Sequence, residues 1–471
     1  MSDDLDATLA MHDELLARRG VGVWVGAEPT FTRADSNEAA WANTPEGDDK
    51  LARAHSLATH LANRLPGAAV SRVIGRQYPG EDHARFAFGV RWREGCFGTT
   101  PGPSALGGLG LGLDRGSRAT GPSEARDPGP RVALDAVATP PPMNLGDDRW
   151  LTVTPDPGVV EVNMAPCPNA RSFYTHSRDV WAAAAEAGLT PIRHRFNGDR
   201  IDSGGGGQIT LGGARPDKSP FIRNPHVLPA LIRYLNNHPS LSFWFASECV
   251  GSASQGPRPD EGTRERWDEL AVALGWLEHL ADRGELSPDQ LWHALGPLLV
   301  DASGNSHRAE LNVEKLWNPH IAIHGPRHGK MGVVELRAIR MPERPGMLVA
   351  LVALFRSLIA RLAVSDYREP LVDFHDDLHD RFALPAALHR DLRMVLGDLD
   401  EHRLPCPATP RARVVAAAGN HMPARRRDAH AAPRARVLAA RWRRRFPGAR
   451  ARSLGRRLDA AVGDLARWCG S

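Results

Sequence analysis

A chain of 471 residues, 42% hydrophobic and 24% charged, can bury a sizeable core and build one large domain or two to three ordinary ones. Its apolar windows are broken by Arg356 and Arg361 and fall short of the roughly 20 residues of a membrane span, and its acidic start lacks the pattern of a signal peptide, so a cytoplasmic protein with no membrane partner is expected. Five cysteines (Cys96, Cys167, Cys249, Cys406, Cys469) without a C-x-x-C pair exclude a disulfide framework and a structural zinc site, and the net charge of +4 divides into +13 after residue 405 and −9 before it.

In chain order, residues 7–19 have helical spacing, and 21–25 alternate as a strand that ends in Gly26-Ala27-Glu28, placing Glu28 at a strand's end. Residues 48–65 carry apolar positions on one helical face, a turn falls at 78–81, and 85–92 alternate as a strand. Residues 97–148, rich in Gly, Pro, Ala and Ser, read as a low-complexity insertion or linker. Strands at 150–154 and 159–164 flank a Pro-Gly turn and make a hairpin. A helix follows at 172–187, then the glycine run Gly204, Gly205, Gly206, Gly207 leading into Gln208 and a short β-like stretch. Further helices are expected at 225–237, 290–300 and 347–362, with strands at 309–313 and 332–337. Hairpins with long helical returns favour an α+β fold over a regular βαβ array.

Two patterns carry chemistry. A four-glycine run supports positive-φ turns or main-chain amides laid against phosphate, or is a floppy surface loop. Glu28, Glu161, Glu310 and Glu335 each stand alone among apolar neighbours in a strand, facing either solvent or a polar cleft over the sheet. Gathered on one face they would repel unless a divalent cation neutralised them, and all-oxygen ligands suit Mg²⁺ or Mn²⁺. Glu335 and Arg337 share a strand face, and His307-Arg308 precede Glu310; each arrangement suits metal and phosphate together, or an ordinary ion pair. No Walker A lysine and no G-x-S-x-G elbow is present, and His375 and His379 lack the glutamate of a zincin.

The segments VWVGAEPTFTRADS, RQYPGED, TVTPDPGVVEVNM, SGGGGQITLGGARPDKSPFIRNPHVL, YLNNHPSLSFWF, LLVDASGNSHRAELNVEKLW, GVVELRAIRMP and LHDRFALP, in that order, resemble a bacterial amidoligase family of unknown function. Its members are often fused behind a transglutaminase-like domain, which makes such a protein an expected partner. The family is related at a distance to glutamine synthetase and glutamate-cysteine ligase. The resemblance implies a glutamine-synthetase-like antiparallel sheet that binds ATP and Mg²⁺ (or Mn²⁺) and joins a carboxylate to an amine of amino acid or peptide substrates through an acyl phosphate. It assigns Glu28, Glu161 and Glu335 as metal ligands with Glu310 beside them. Asn163, Gly204, Gly205, Gly206, Gly207 and Gln208 would border the nucleotide. Arg337 would steady the transferred phosphate, with His307 and Arg308 as further catalytic contacts.

Gln208 stands where the family carries a histidine, which raises the alternative of a weak or inactive binding scaffold. The expected organisation is a catalytic domain over 1–405 and an Arg-rich tail over 406–471. That tail holds sixteen Arg against three Asp. It reads either as a shifted reading frame of GC-rich DNA or as a basic segment for nucleic acid, the one place where such binding is expected.

Overall fold

A computed structural model describes residues 2–34, 47–65, 67–74, 86–93, 148–156, 158–164, 166–194, 200–246, 250–251, 254–319 and 330–416. Among these, the strands are β1 (Trp24–Arg33), β2 (Ala69–Ile74), β3 (Phe86–Arg93), β4 (Asp148–Asp156), β5 (Val159–Asn163), β6 (Leu189–Thr190), β7 (Ile192–His194), β8 (Arg200–Asp202), β9 (Gly207–Gly212), β10 (Leu311–Asn312) and β11 (Val334–Leu336). Nine of them form one sheet in the order β10-β11-β9-β1-β5-β4-β3-β2, with β6 also on β1; β7 and β8 pair separately. Every paired strand runs antiparallel. The fold is α+β around an antiparallel sheet, as the hairpin pattern predicts.

Successive side chains of a strand point to opposite faces, so the register fixes which residues share a face. Glu28 lies opposite Gln208, Thr30 opposite Glu161, and Glu161 opposite Thr154. Thr210 lies opposite Glu335, and Glu335 opposite Asn312. One face is therefore polar across the sheet: Glu28, Thr30, Glu161, Asn163, Thr152, Thr154, Gln208, Thr210, Glu335 and Asn312. The other face carries Val25, Ala27, Phe31, Val160, Val162, Leu151, Val153, Ile209, Leu211, Val334 and Leu336, all buried.

Helices α2 (Gly47–Arg64) and α3 (Ala170–Glu186) and the helix Pro345–Val364 cover that apolar face, and α1 (Ser2–Arg18) packs on α3 and on the helix Pro345–Val364. Each Val, Leu, Ile or Phe buried there contributes roughly 1.5–3 kcal/mol. The start of α3 is fixed twice. Asn169 Oδ1 accepts from Ser172 N at 2.8 Å, and the Asp13 carboxylate of α1 accepts from Ala170 N and Arg171 N at 2.9 and 3.1 Å. The helix Pro345–Val364 is the longest uninterrupted apolar element among the described residues. With 20 residues it is long and apolar enough to cross a membrane, which corrects the expectation that the apolar windows are too short. It is nonetheless 83% buried inside the protein and is the core helix of this layer. Its two arginines do not break it because each is partnered: Arg356 Nε donates to Val23 O at 3.0 Å and Nη1 pairs with Asp13, while Arg361 grips Asp398 at 2.9 and 3.1 Å.

Several elements differ from the expectation. Strand β1 does not end near Gly26 but runs on to Arg33, so Glu28 sits mid-strand. Pro29, which has no N–H to give, is tolerated opposite Gly207, whose own amide donates to Ile339 O at 2.9 Å instead of to β1. The helix expected over 290–300 is Pro288–Leu295, capped by Ser287 and stopped by Gly296-Pro297. Strand 309–313 contracts to Leu311–Asn312, which leaves Glu310 just outside it. The hairpin β4–β5 forms as predicted, with Gly158 at φ +77° in its turn. The helix Ala408–Ala416 packs on the helix Pro345–Val364 and on α1 with Val414 fully buried, so the folded body reaches past residue 405. The rest of the Arg-rich tail, the turn at 78–81, the insertion expected over 97–148 save for Asp148, which begins β4, and Cys96, Cys249 and Cys469 lie outside the described residues; Cys167 and Cys406 are free thiols.

Candidate active site

The polar face converges where β1, β9 and β11 lie side by side. Lys315, on the short helix Glu314–Trp317 after β10, brings its Nζ to 3.2 Å from Glu28 Oε1 and 3.3 Å from Glu335 Oε2. Arg337 Nη1 pairs with Glu335 Oε1 and donates to Gln208 Oε1 at 2.9 Å. Glu28, Lys315, Glu335, Arg337 and Gln208 form one continuous line of polar contacts, and all but Arg337 are buried. Two carboxylates face two cations, so the line is close to neutral by itself. Burial alone would push the Glu335 carboxyl up, but the charges of Lys315, Arg337 and His307 outweigh it and hold the group well below the usual carboxylate range.

The predicted residues Asn163, Glu161, His307, Arg308 and Glu310 fall into four places. Asn163 and Glu161 lie on the same face, with Asn163 Nδ2 donating to Glu161 Oε1 at 2.9 Å. Asn163 and Glu28 also line a cavity of about 10 Å³ with Gly26, Thr210 and Met331, room for about one water. His307 sits at the rim, 41% exposed, with Nε2 at 3.1 Å from Glu314 Oε2. Arg308 turns outward: its Nη1 is 3.6 Å from Asp301 Oδ2 and its Nη2 donates to Ser254 O at 3.0 Å. Glu310 is drawn away from the other carboxylates. Ser242 Oγ donates to it, and Arg258 Nη1 lies 3.7 Å from Oε1. The cause is Arg258, whose wholly buried side chain requires anions and takes Glu310 and Asp260. Burial pushes the Glu310 carboxyl up to about 7, against the pull of Arg258.

The glycine turn is not a floppy loop. Gly204 and Gly206 sit at φ +86° and +88°, conformations that side chains resist. A Cβ at Gly205 would meet Thr30 at 2.8 Å, and one at Gly207 would meet Pro342 at 2.5 Å. The amides of Gly204 and Gly207 are spent internally, on Asp202 Oδ1 at 2.8 Å and Ile339 O at 2.9 Å. Thr30 Oγ1, itself 2.6 Å from Ser203 Oγ, donates to Gly206 O at 2.7 Å. The turn thus closes over the polar face and is anchored to it.

Sequence reasoning missed Lys315, Thr30, Thr152, Thr154, Thr210 and Asn312. The threonines had a signal, since Glu28-Pro29-Thr30-Phe31-Thr32 and Thr152-Val153-Thr154 alternate with period two. Lys315 had none, because a single lysine in a four-residue helix has no periodicity to read. Four buried atoms of this face have no hydrogen-bond partner among the described residues: Thr152 Oγ1, Thr154 Oγ1, Asn312 Nδ2 and Arg337 Nε. Buried polar groups are ordinarily satisfied, so such a group signals a missing ligand or solvent.

Among the described residues, no three His, Cys, Asp or Glu side chains are grouped to hold a metal ion. Glu28 and Glu335 nevertheless share one cationic atom, and Mg²⁺ is commonly held by one or two carboxylates with waters and substrate phosphates completing its shell. The donor set fits such an ion at the position that Lys315 Nζ now takes.

A profile described as "Putative amidoligase enzyme (DUF2126)" matches residues 3–98 and 125–409. The chain belongs to this family. Every polar-face residue named above lies inside the matched region, as do the glycine turn and Lys315. No curated protein matches the sequence.

Proposed function

We propose that the chain is an ATP-dependent amidoligase, joining a carboxylate and an amine of amino acid or peptide substrates through an acyl phosphate. The observation that carries this reading is the buried line Glu28–Lys315–Glu335–Arg337, beside donors left without partners. Arg337 spends Nη1 on Glu335 and Gln208, and its Nε has no partner among the described residues, so the guanidinium can still take a phosphate oxygen. Glu28 and Glu335 would hold Mg²⁺ (or Mn²⁺), which when bound neutralises phosphate charge. The substrate carboxylate takes the γ-phosphoryl group of ATP with release of ADP. The amine then attacks the acyl carbon and inorganic phosphate leaves. His307, oriented by Glu314 at the exposed rim, is placed to accept the proton the amine gives up. Gln208 hydrogen-bonds Arg337 and so fixes the guanidinium, a task that needs no protonatable ring. Asn163 and the turn over Gly204–Gly207 border the nucleotide in this reading.

Screening pools of carboxylates and amines for ADP release tests the proposal. Release that requires both substrates and is lost in Glu335→Ala supports it; no release with any pair, and no binding of ATP, overturns it. The near-neutral charge of the line and the cavity of only about 10 Å³ favour a second reading, a non-catalytic scaffold. That reading predicts a stable fold that neither binds nor turns over ATP.

A further inference from the structure

We infer that Lys315 is a built-in cation that closes the Glu28–Glu335 pair, and that a divalent metal enters this site by displacing its ammonium. The inference rests on the ligase reading for what the metal is for, but not for how the site is held.

Strand β9 lies between β1 and β11, so Glu28 and Glu335 stand on strands whose backbones are about 10 Å apart. Their carboxylates can share an ion only if both lean over β9, and both lean toward Lys315 Nζ, at 3.2 and 3.3 Å. The lysine is not placed by chance. Glu314 N donates to Asn312 Oδ1 at 2.7 Å, starting the short helix on the edge strand. Met331 N and Gly332 N then donate to the carbonyls of Lys315 and Leu316, each at 3.0 Å, tying the helix to the segment that leads into β11. The backbone that carries Lys315 is thus fixed at both ends to strands of the site, and Lys315 and Leu316 are both buried.

Buried carboxylates are costly to leave unpaired, and the ammonium, bridging Glu28 and Glu335 while Arg337 also holds Glu335, lowers that cost while no metal is present. A metal that takes the same oxygens competes with the ammonium, so metal alone binds weakly. Once displaced, the ammonium needs an anion, and it lies beside Arg337, where the phosphate chain is expected. The competing explanation, a purely structural ion triad, predicts that removing the lysine only weakens the fold.

The test is binding of Mn²⁺ alone, without nucleotide, followed by electron paramagnetic resonance on the full chain. Lys315→Met should bind Mn²⁺ about tenfold more tightly than the unsubstituted protein, a coupling of ordinary size between two competing ligands. Lys315→Arg, which keeps a cation in place, should bind no more tightly than the unsubstituted protein. Equal or weaker binding in Lys315→Met overturns the inference, as does the absence of Mn²⁺ binding in both proteins. If Lys315→Met folds poorly, its melting temperature should rise with Mn²⁺ by more than that of the unsubstituted protein; no greater rise overturns the inference. ADP release by the unsubstituted protein reports separately on the ligase reading. An active enzyme with unchanged Mn²⁺ affinity in Lys315→Met sinks this inference alone, whereas an inactive one with tightened Mn²⁺ binding sinks the ligase reading and upholds the role of Lys315.

Discussion

The two faces of the central sheet are made by the same strands and differ only in residue parity, yet they bury polar groups on different terms. Under the helices, the buried charges of the helix Pro345–Val364 are served by the protein itself: Arg356 by Val23 O and Asp13, Arg361 by both oxygens of Asp398 and by Ser365 O. On the opposite face Glu28, Lys315, Glu335 and Arg337 are linked in a line, but Arg337 Nε, Asn312 Nδ2 and two threonine hydroxyls are left over. A fold that merely needed stability would fill such positions with apolar side chains, at no loss and often with a gain. Leftover groups also occur elsewhere, as at His12 Nδ1 beside the helix Pro345–Val364, but on the polar face they lie along one line of paired charges, the arrangement on which the ligase proposal rests.

The sharpest way to break this contrast is to substitute one residue from each face of the sheet. Phe31 is fully buried on the helical side and meets Trp181 edge to face at 5.3 Å between ring centroids. Phe31→Ala should cost about 4 kcal/mol of stability, read as a lower midpoint in urea unfolding. Arg337→Ala, on the other face, should lower ADP release by about 10²–10³-fold through loss of charge stabilisation at the reacting phosphate. Its unfolding midpoint should move much less than that of Phe31→Ala, because Glu335 keeps Lys315. Equal stability losses in the two variants would mean that the polar face is a second core and not a site.

How much of this was legible in the sequence follows from the same parity. Period-two alternation exposes the strand carboxylates, and Glu335-Leu336-Arg337 reads correctly as an acid and a base on one face. The antiparallel hairpin at 150–164 is equally plain, since its turn residues lie next to the strands they join. Partners distant in sequence are not legible. Glu310 looks like the other acids, and only Arg258, 52 residues away and reached from another element, reveals why it turns aside. Lys315 meets Glu28 across 287 residues of chain, with nothing local to announce it. The helix expected over 347–362 forms as Pro345–Val364, and only its apolar length is underread, because Arg356 and Arg361 look like breaks until Asp13 and Asp398 are in place.

Acid–base behaviour separates Glu310 from Glu335. The Glu310 carboxyl titrates near 7 in the folded protein against an ordinary value of 4.5, so between those pH values the native state holds a proton that the unfolded chain has lost. The folded state is therefore favoured by protonation, and Glu310 withdraws stability as pH rises from 4.5 through 7, up to about 3 kcal/mol. His12 acts in the opposite sense. Burial and Arg356 lower it to about 3 from 6.5, so it withdraws stability as pH falls below 6.5. Comparing Glu310→Gln with the unsubstituted protein cancels the contribution of His12. The variant should match or exceed the unsubstituted protein in stability at pH 8 and lose that advantage at pH 5, as measured by urea unfolding at each pH. A Glu310 that acted as a site ligand would instead cost ADP release on substitution at every pH.

The smallest effect tests which side of the contrast the glycine turn serves. Gly206 holds φ +88°, but a Cβ there would meet nothing closer than Ile339 O at 3.4 Å, an ordinary contact. Gly206→Ala should therefore cost only the left-handed backbone conformation, about 1–2 kcal/mol of stability. Gly205→Ala differs in kind, since its Cβ would press on Thr30 at 2.8 Å and disturb the hydroxyl that holds the turn to the polar face. Because the amides of Gly204 and Gly207 are already committed to Asp202 and Ile339, the turn has few donors to offer a phosphate. Gly206→Ala should accordingly leave ATP affinity, measured by calorimetry on the folded fraction, within about threefold of the unsubstituted protein, less than a typical net hydrogen bond is worth. A much larger loss of affinity would make the turn a main-chain phosphate cradle, beyond a backbone that borders the nucleotide without donating to it.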